Sequence, residues 1–214
     1  MGLLTELHDA ILVGDAKNAH AVTQTALEAG MRPMDLISGG MVPAMNEVGR
    51  LFEAEDYFVP ELLLAGRAMK SAMELLRPLI AASGEKLGAR VIIGTVKGDL
   101  HDIGKNIVAS MLEGSGFEVI DLGADVAPER FVAAVEERDP HVLCMSALLT
   151  VTMPAMRTTI QALENAGLRS RVKVLIGGAP VTDQYAREIG ADGYSDNAGG
   201  AVTLVKNLCT LVRA

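Results

Sequence analysis

Val91-Ile92-Ile93-Gly94-Thr95-Val96, running straight into Lys97-Gly98-Asp99-Leu100-His101-Asp102-Ile103-Gly104-Lys105-Asn106, is where the hydrophobic period of the chain changes. A short β-branched run without polar alternation suits a strand buried on both faces. Similar runs follow at 117–122 (Phe-Glu-Val-Ile-Asp-Leu), at 141–147 and at 172–176 (Val-Lys-Val-Leu-Ile), with a weaker one at 192–195. Helical stretches separate them, near 104–114, 128–138, 153–166, 181–189 and 198–212. Strand and helix alternate, so residues 89–214 are expected to form an α/β domain with a doubly wound parallel sheet, Rossmann-like and flavodoxin-like. Ligands of such sheets bind outside the carboxyl ends of the strands, which makes 97–106 the expected active loop.

Upstream, residues 1–88 read as helices. Thr5 is a candidate N-cap for a short helix carrying Leu7 and Ile11 and ended by Gly14. Asp15 caps a second helix that runs to Gly30, and Pro33 suits the first turn of a third. Met34, Ile37, Met41, Met45, Val48 and Phe52 recur at three- and four-residue steps, the helical period. Pro60 opens a fourth helix with Leu62, Ala65, Met69, Ala72 and Leu76 on one stripe. Four helices with short connections predict a four-helix bundle. Ala82-Ser83-Gly84-Glu85-Lys86-Leu87-Gly88 breaks the pattern and reads as a linker whose two glycines are candidate hinge points. The expected organisation is a bundle over 1–88 and the α/β domain over 89–214.

Half of the 214 residues are hydrophobic and 21% are charged, so the chain can bury a sizeable core. A net charge of −8 argues against a nucleic-acid partner and against a polybasic membrane surface. Aromatics at 3%, with no Trp, argue against base stacking. Two cysteines, Cys144 and Cys209, cannot build a disulfide scaffold or a four-thiolate zinc site. There is no signal peptide and no apolar run of the ~18–20 residues that spans a bilayer, so a cytoplasmic location is expected.

Loop 97–106 is no phosphate cradle, since it has neither Gly-x-Gly-x-x-Gly nor Gly-Lys-Ser/Thr. It offers an Asp two residues before a His, a spacing that lets a carboxylate hold one imidazole nitrogen while the other faces a metal. One His cannot close a zinc site, which wants four ligands. A lone imidazole makes more sense as an axial ligand to a metal already held by a macrocycle.

Asp99-x-His101-x-x-Gly104 is followed by 41 residues, then Ser146-x-Leu148, and after 28 more comes Gly177-Gly178. This pattern resembles the signature of cobalamin-binding domains in methionine synthase and in the small corrinoid methyl-carrier proteins. The resemblance extends over nearly the whole chain: Met45-Asn46-Glu47-Val48-Gly49-Arg50-Leu51-Phe52 and Phe58-Val59-Pro60-Glu61-Leu62 look like the family's helical cap.

The resemblance implies roles for the matching positions. His101 would be the lower cobalt ligand of a cobalamin or related corrinoid, in place of the cofactor's own base. Asp99 would hydrogen-bond the far nitrogen. Thr152 stands where the family has a hydroxyl, often Ser, that continues the relay. Gly98, Leu100, Asp102, Ile103 and Gly104 would surround the ligand in its loop. Ser146, Leu148, Thr150, Gly177, Gly178 and Ala198 match the lining of the slot that takes the displaced nucleotide tail. Phe52, Val59 and Leu62 match positions that pack over the upper face of cobalt, although in any bundle they also read as core.

Other residues have plainer readings. His8, His20 and His141 are surface or element-end residues, the methionine stripe is core packing, and both cysteines are inert. Asp99 as a phosphoacceptor is disfavoured, because the acidic pair that receiver-like domains place after their first strand is absent.

The function implied is that of a corrinoid carrier, holding a methyl group on cobalt between a substrate-specific methyltransferase and an acceptor methyltransferase that uses folate or a thiol. A reductive activator of the corrinoid would be a third partner. Such a carrier is a cofactor-bearing partner more than a complete enzyme. The alternative in the same superfamily is a cobalamin module of a methionine synthase-like enzyme. A mutase subunit fits the preceding bundle less well, and a cobalamin-dependent regulator would need a DNA-binding domain.

Overall fold

The structure, a computed structural model, describes residues 2–83 and 89–211. It divides into two compact units, one of residues 1–88 with 110–117 and one of residues 89–109 with 118–214.

The first unit is helical: α1 (Leu3–Leu12), α2 (Ala16–Glu28), α3 (Pro33–Leu36), α4 (Val42–Glu53) and α5 (Val59–Ser83). Its core is aliphatic and methionine-rich, with Leu7, Ile11, Leu36, Met41, Leu62, Met69 and Leu76 fully enclosed. Asp15 caps α2 by accepting from the Asn18 N–H at 3.0 Å. Thr5 does not cap α1: Gly2 holds the cap position, and Thr5 lies in the first turn with its N–H on the Gly2 carbonyl.

Between α3 and α4 the chain makes a π turn, Ile37–Met41, so the expected third helix is continuous but over-wide at that point. Pro43 lacks the N–H that an α-helical bond to Gly39 would need. Gly40 also lets the backbone of α1 come close, since a Cβ there would stand 3.1 Å from the Leu4 carbonyl oxygen. Helix α5 runs on through Pro78 to Ser83, so Ala82 and Ser83 of the expected linker are helical. The rest of that linker, residues 84–88, lies outside the described residues.

In the second unit a parallel sheet is built from β1 (Arg90–Thr95), β2 (Glu118–Asp121), β3 (Val142–Ser146), β4 (Lys173–Gly177) and β5 (Gly193–Ser195), in the order β2-β1-β3-β4-β5. The crossovers are α6 (Ile103–Gly114), α7 (Pro128–Arg138), α8 (Pro154–Asn165) and α9 (Asp183–Ile189), and α10 (Ala198–Leu211) follows β5. Ile92, Leu143 and Val174 on the central strands pack with Phe131, Met156 and Ile160 from the helices. Gly94 makes room for that packing, because a Cβ there would stand 2.9 Å from the Phe131 ring. Chain order reverses at β1, whose carboxyl end lies between β2 and β3, with Thr95 paired to Ser146. This is the switch point at which open sheets of this kind bind ligands.

Candidate functional site

At the carboxyl end of β1 the chain turns on Gly98, whose φ of +85° suits glycine, and closes with Asp99 N–H on the Val96 carbonyl. The turn drives Asp99 inward until it is fully buried. Its Oδ1 accepts the His101 N–H at 3.0 Å and faces His101 Nδ1 at 2.8 Å. Its Oδ2 accepts the Leu148 N–H at 2.8 Å and the Thr152 hydroxyl at 2.7 Å, with the Leu149 N–H at 3.3 Å. Burial alone would raise the carboxyl's pKa. The Thr152 hydroxyl and the N–H groups of His101 and Leu148 outweigh it and hold Asp99 well below the ordinary carboxylate range.

An ionised Asp99 can only accept, so Nδ1 of a neutral His101 carries the hydrogen and Nε2 keeps its lone pair for a metal. The imidazole side chain is half-exposed, at 51%, so Nε2 is open to a ligand. The single hydrogen of the Thr152 hydroxyl has two acceptors in reach, Asp99 Oδ2 and the Leu149 carbonyl at 2.8 Å. The Thr95 hydroxyl pins the loop from below by donating to the His101 carbonyl at 3.0 Å.

Around this polar core the surface is apolar. Leu100 (76% exposed), Leu148 (43%), Leu149 (42%) and Val151 (80%) belong to the loops after β1 and β3, and Ile103 (72%) opens α6. One exposed leucine needs no explanation; five large aliphatic side chains in two loops and the helix start beside them, joined through Asp99, mark a binding face. Gly104 borders open space, for a Cβ there would meet nothing within 4 Å. A broad, mostly apolar macrocycle with one open axial position on its metal matches this donor set and rim. Among the described residues no group of three or more His, Cys, Asp or Glu could hold a bare ion, so a single imidazole is the donor on offer.

The expected slot residues follow the sheet register. Ser146 ends β3 beside Gly177, which ends β4 beside Ser195. The two glycines are needed for backbone approach: a Cβ on Gly177 would stand 3.0 Å from the Ser195 carbonyl oxygen, and one on Gly178, at φ +127°, only 1.9 Å from that of Ala147. Ala198 is buried at the start of α10, just beyond β5, and Thr150 is exposed in the loop after β3. Asp102 is exposed, and its carbonyl accepts the Asn106 N–H at the start of α6. Phe52, Val59 and Leu62 belong to the helical unit, where Phe52 is half-buried, Val59 is 36% exposed and Leu62 is enclosed. Cys144 matches its plain reading: burial, with Cys209 adding to it, pushes its thiol up to about 12, which leaves little thiolate at neutral pH.

Leu149, Val151 and Asp125 escaped the sequence reading. The apolar run Leu148-Leu149-Thr150-Val151 in a loop was a signal for the first two. Nothing near Asp125 in the sequence points to its partner Gly98, 27 residues away.

Models described as "B12 binding domain" match residues 89–203 and residues 3–77. Dimethylamine corrinoid protein 3 of Methanosarcina acetivorans is 42% identical over 207 residues, which cover 97% of this chain and 97% of that protein. Trimethylamine corrinoid protein 2 of Methanosarcina mazei is 43% identical over 207 residues, covering 95% and 94%. Among solved structures, the methanol:cobalamin methyltransferase complex MtaBC from Methanosarcina barkeri matches with a TM-score of 0.88 at 31% identity, over 97% of this chain and 80% of that one. A cobalamin-binding protein from Desulfitobacterium hafniense matches with a TM-score of 0.76 at 35% identity, over 96% and 98%.

Proposed function

Because the chain belongs to the B12 binding domain family, whose cofactor is a corrinoid, we propose that it carries a methyl group on that corrinoid between the members of a methyltransferase system. The observation that carries the reading is the buried Asp99–Thr152 pair holding a half-exposed His101 at the centre of an apolar rim. When bound, the corrinoid supplies a cobalt centre able to take up and release a methyl group.

The protein's own part is local. His101 would hold the cobalt through Nε2, with Asp99 fixing the tautomer and orientation of the imidazole. The Thr152 hydroxyl and the Leu148 N–H hold the Asp99 carboxylate in place against the imidazole. Leu100, Ile103, Leu148, Leu149 and Val151 would shield the bound group from water around His101. Ser146, Thr150, Gly177, Gly178 and Ala198 are proposed to line the tail slot, and Gly98, Asp102 and Gly104 to shape the loop. For Phe52, Val59 and Leu62 the cap role rests on the resemblance alone.

A substrate-specific methyltransferase is the proposed donor partner, supported by the MtaBC match. The acceptor methyltransferase and a reductive activator are proposed from the chemistry of a carrier. The corrinoid proteins named above are matched over almost their full length, which supports a carrier over a methionine synthase-like module. No helix among the described residues is long and apolar enough to cross a membrane.

Loading the purified protein with hydroxocobalamin and reducing it to the cobalt(II) state tests the reading. We expect one corrinoid per chain and nitrogen splitting in the EPR spectrum, with His101→Ala keeping much of the corrinoid but losing the splitting. A protein that retains no corrinoid, or a His101→Ala spectrum like wild type, overturns it.

A further inference from the structure

The turn that carries Asp99 and His101 is held from outside by a residue that neither the signature nor the rim contains. Asp125 lies in the loop between β2 and α7. It is one of three non-glycine residues with positive φ among those described, at +54°. A non-glycine residue in the left-handed region is uncommon, and aspartate is among those that tolerate it.

In that conformation Asp125 grips the turn twice. Its Oδ1 accepts the Gly98 N–H at 2.8 Å, and its own N–H donates to the Asp99 carbonyl at 2.9 Å. The grip therefore spans the two residues that set the direction of the Asp99 side chain. Lys97 adds an ion pair at 3.0 Å between exposed partners, the kind that contributes little.

The loop bearing Asp125 is itself fixed. The Thr95 N–H donates to the Gly123 carbonyl at 2.9 Å, and the Val126 N–H to the Thr95 carbonyl at 3.0 Å. Asp121 Oδ1 accepts the Gly123 N–H at 2.9 Å, while its other oxygen takes the ammonium of Lys105, a side chain only 1% exposed. Lys105 lies on α6, which begins two residues after His101. The end of β2 and the loop after it thus hold the His101 loop and the helix that follows it, Asp125 through Gly98 and Asp99 and Asp121 through Lys105.

We infer that Asp125 is a positioning residue for His101, setting how firmly the imidazole is offered to the metal by clamping the Gly98–Asp99 turn. The inference rests on the reading of His101 as lower ligand. A plain surface ion pair with Lys97 would give Asp125 no influence on ligation, so the two accounts separate by experiment.

The test uses the full chain loaded with hydroxocobalamin and reduced to cobalt(II). Nitrogen splitting in the EPR spectrum, followed against pH, gives the histidine-on fraction. Amide hydrogen exchange at Gly98 and Asp99 is read in the unloaded protein. Asp125→Ala and Asp125→Gly are expected to lower the ligation equilibrium about two- to tenfold, the range of one lost hydrogen bond, and to speed exchange at Gly98. Asp125→Asn keeps an acceptor and tolerates positive φ, so it is expected to restore both readouts. Lys97→Met should stay within about twofold of wild type, as for an exposed pair.

Should Asp125→Ala fail to fold, Asp125→Gly, which has no left-handed strain, carries the test. If Asp125→Ala and Asp125→Gly keep wild-type splitting and exchange, or if Lys97→Met alone reproduces their loss, the clamp is overturned while the ligand reading stands. A wild-type spectrum without histidine nitrogen overturns the ligand reading and the clamp together.

Discussion

Replacing Asp99 with Asn changes one atom and leaves volume and shape nearly intact, so its consequences isolate the carboxylate. Each oxygen of Asp99 faces donors: His101 N–H and Nδ1 on one side, and the Leu148 N–H, the Leu149 N–H and the Thr152 hydroxyl on the other. An amide has a single oxygen, so one side must meet an NH₂. With the NH₂ toward Leu148, the N–H groups of Leu148 and Leu149 lose their acceptor beside the buried Asp99. With the NH₂ toward His101, the His101 N–H is orphaned and Nδ1 must accept, which moves the ring hydrogen to Nε2 and blocks the nitrogen proposed to hold cobalt.

Leaving a buried donor unsatisfied costs about 1–3 kcal/mol, so with one or two donors orphaned the chain should be destabilised by about 1–4 kcal/mol. At about 2–4 °C per kcal/mol for a chain of this size, the melting midpoint of the unloaded protein should fall by roughly 2–15 °C. The amide takes the orientation that costs less, so the spectrum of the loaded variant reports which one wins. Retained axial nitrogen means that the Leu148 side gave way, and lost nitrogen means that the tautomer flipped. Calorimetry or urea unfolding gives the stability, and EPR of the cobalt(II) form gives the ligation. An Asn variant within about 0.5 kcal/mol of wild type that also keeps full ligation would refute the reasoning, because it would mean that the carboxylate is not the shared acceptor described.

Asp99 also makes stability depend on pH with a definite sign. Its folded pKa lies below its unfolded value near 3.9, so its contribution is present above that value and is lost as pH falls through the folded one. The stability gap between wild type and Asp99→Asn should therefore be constant from neutral pH to about pH 5 and narrow in stronger acid; a gap that widens there is the wrong sign. Gly178→Ala should cost about 3 kcal/mol or more, since its φ is +127° and the added carbon would lie 1.9 Å from the Ala147 carbonyl oxygen, and urea unfolding measures it. Removing residues 1–82 should leave a sheet unit that binds corrinoid through His101 and lets the reduced cofactor reoxidise faster in air by stopped flow; equal rates with cofactor retained would remove the cap role. The same truncation should lower the unfolding midpoint, because residues 110–117 cluster with the helices it deletes.

What was legible in the sequence and what was not divide along the distance between partners. The strands showed because parallel strands buried on both faces need uninterrupted apolar runs, and β1, β3 and β4 supply them as Arg90–Thr95, Val142–Ser146 and Lys173–Gly177. Asp99 and His101 were legible as a pair because their hydrogen bond spans two residues and the spacing itself implies it. Thr152, 53 residues from Asp99, needed the resemblance, since only the pairing of β1 with β3 brings it near.

The π turn hid because its extra residue barely disturbs a three- and four-residue apolar stripe, and its causes, Pro43 and Gly40 against Leu4, are steric. Thr5 misled because capping propensity acts only where the helix starts, and Gly2 starts it earlier. The braces were the least legible of all. Asp125 meets Gly98, and Lys105 meets Asp121, only because β2 lies beside β1, and neighbouring strands in a parallel sheet are not announced by any local pattern. The Asp99–His101 pair reads from its own spacing; the groups that hold its loop still come from the strand next door and the loop after it, and become visible only with the strand order.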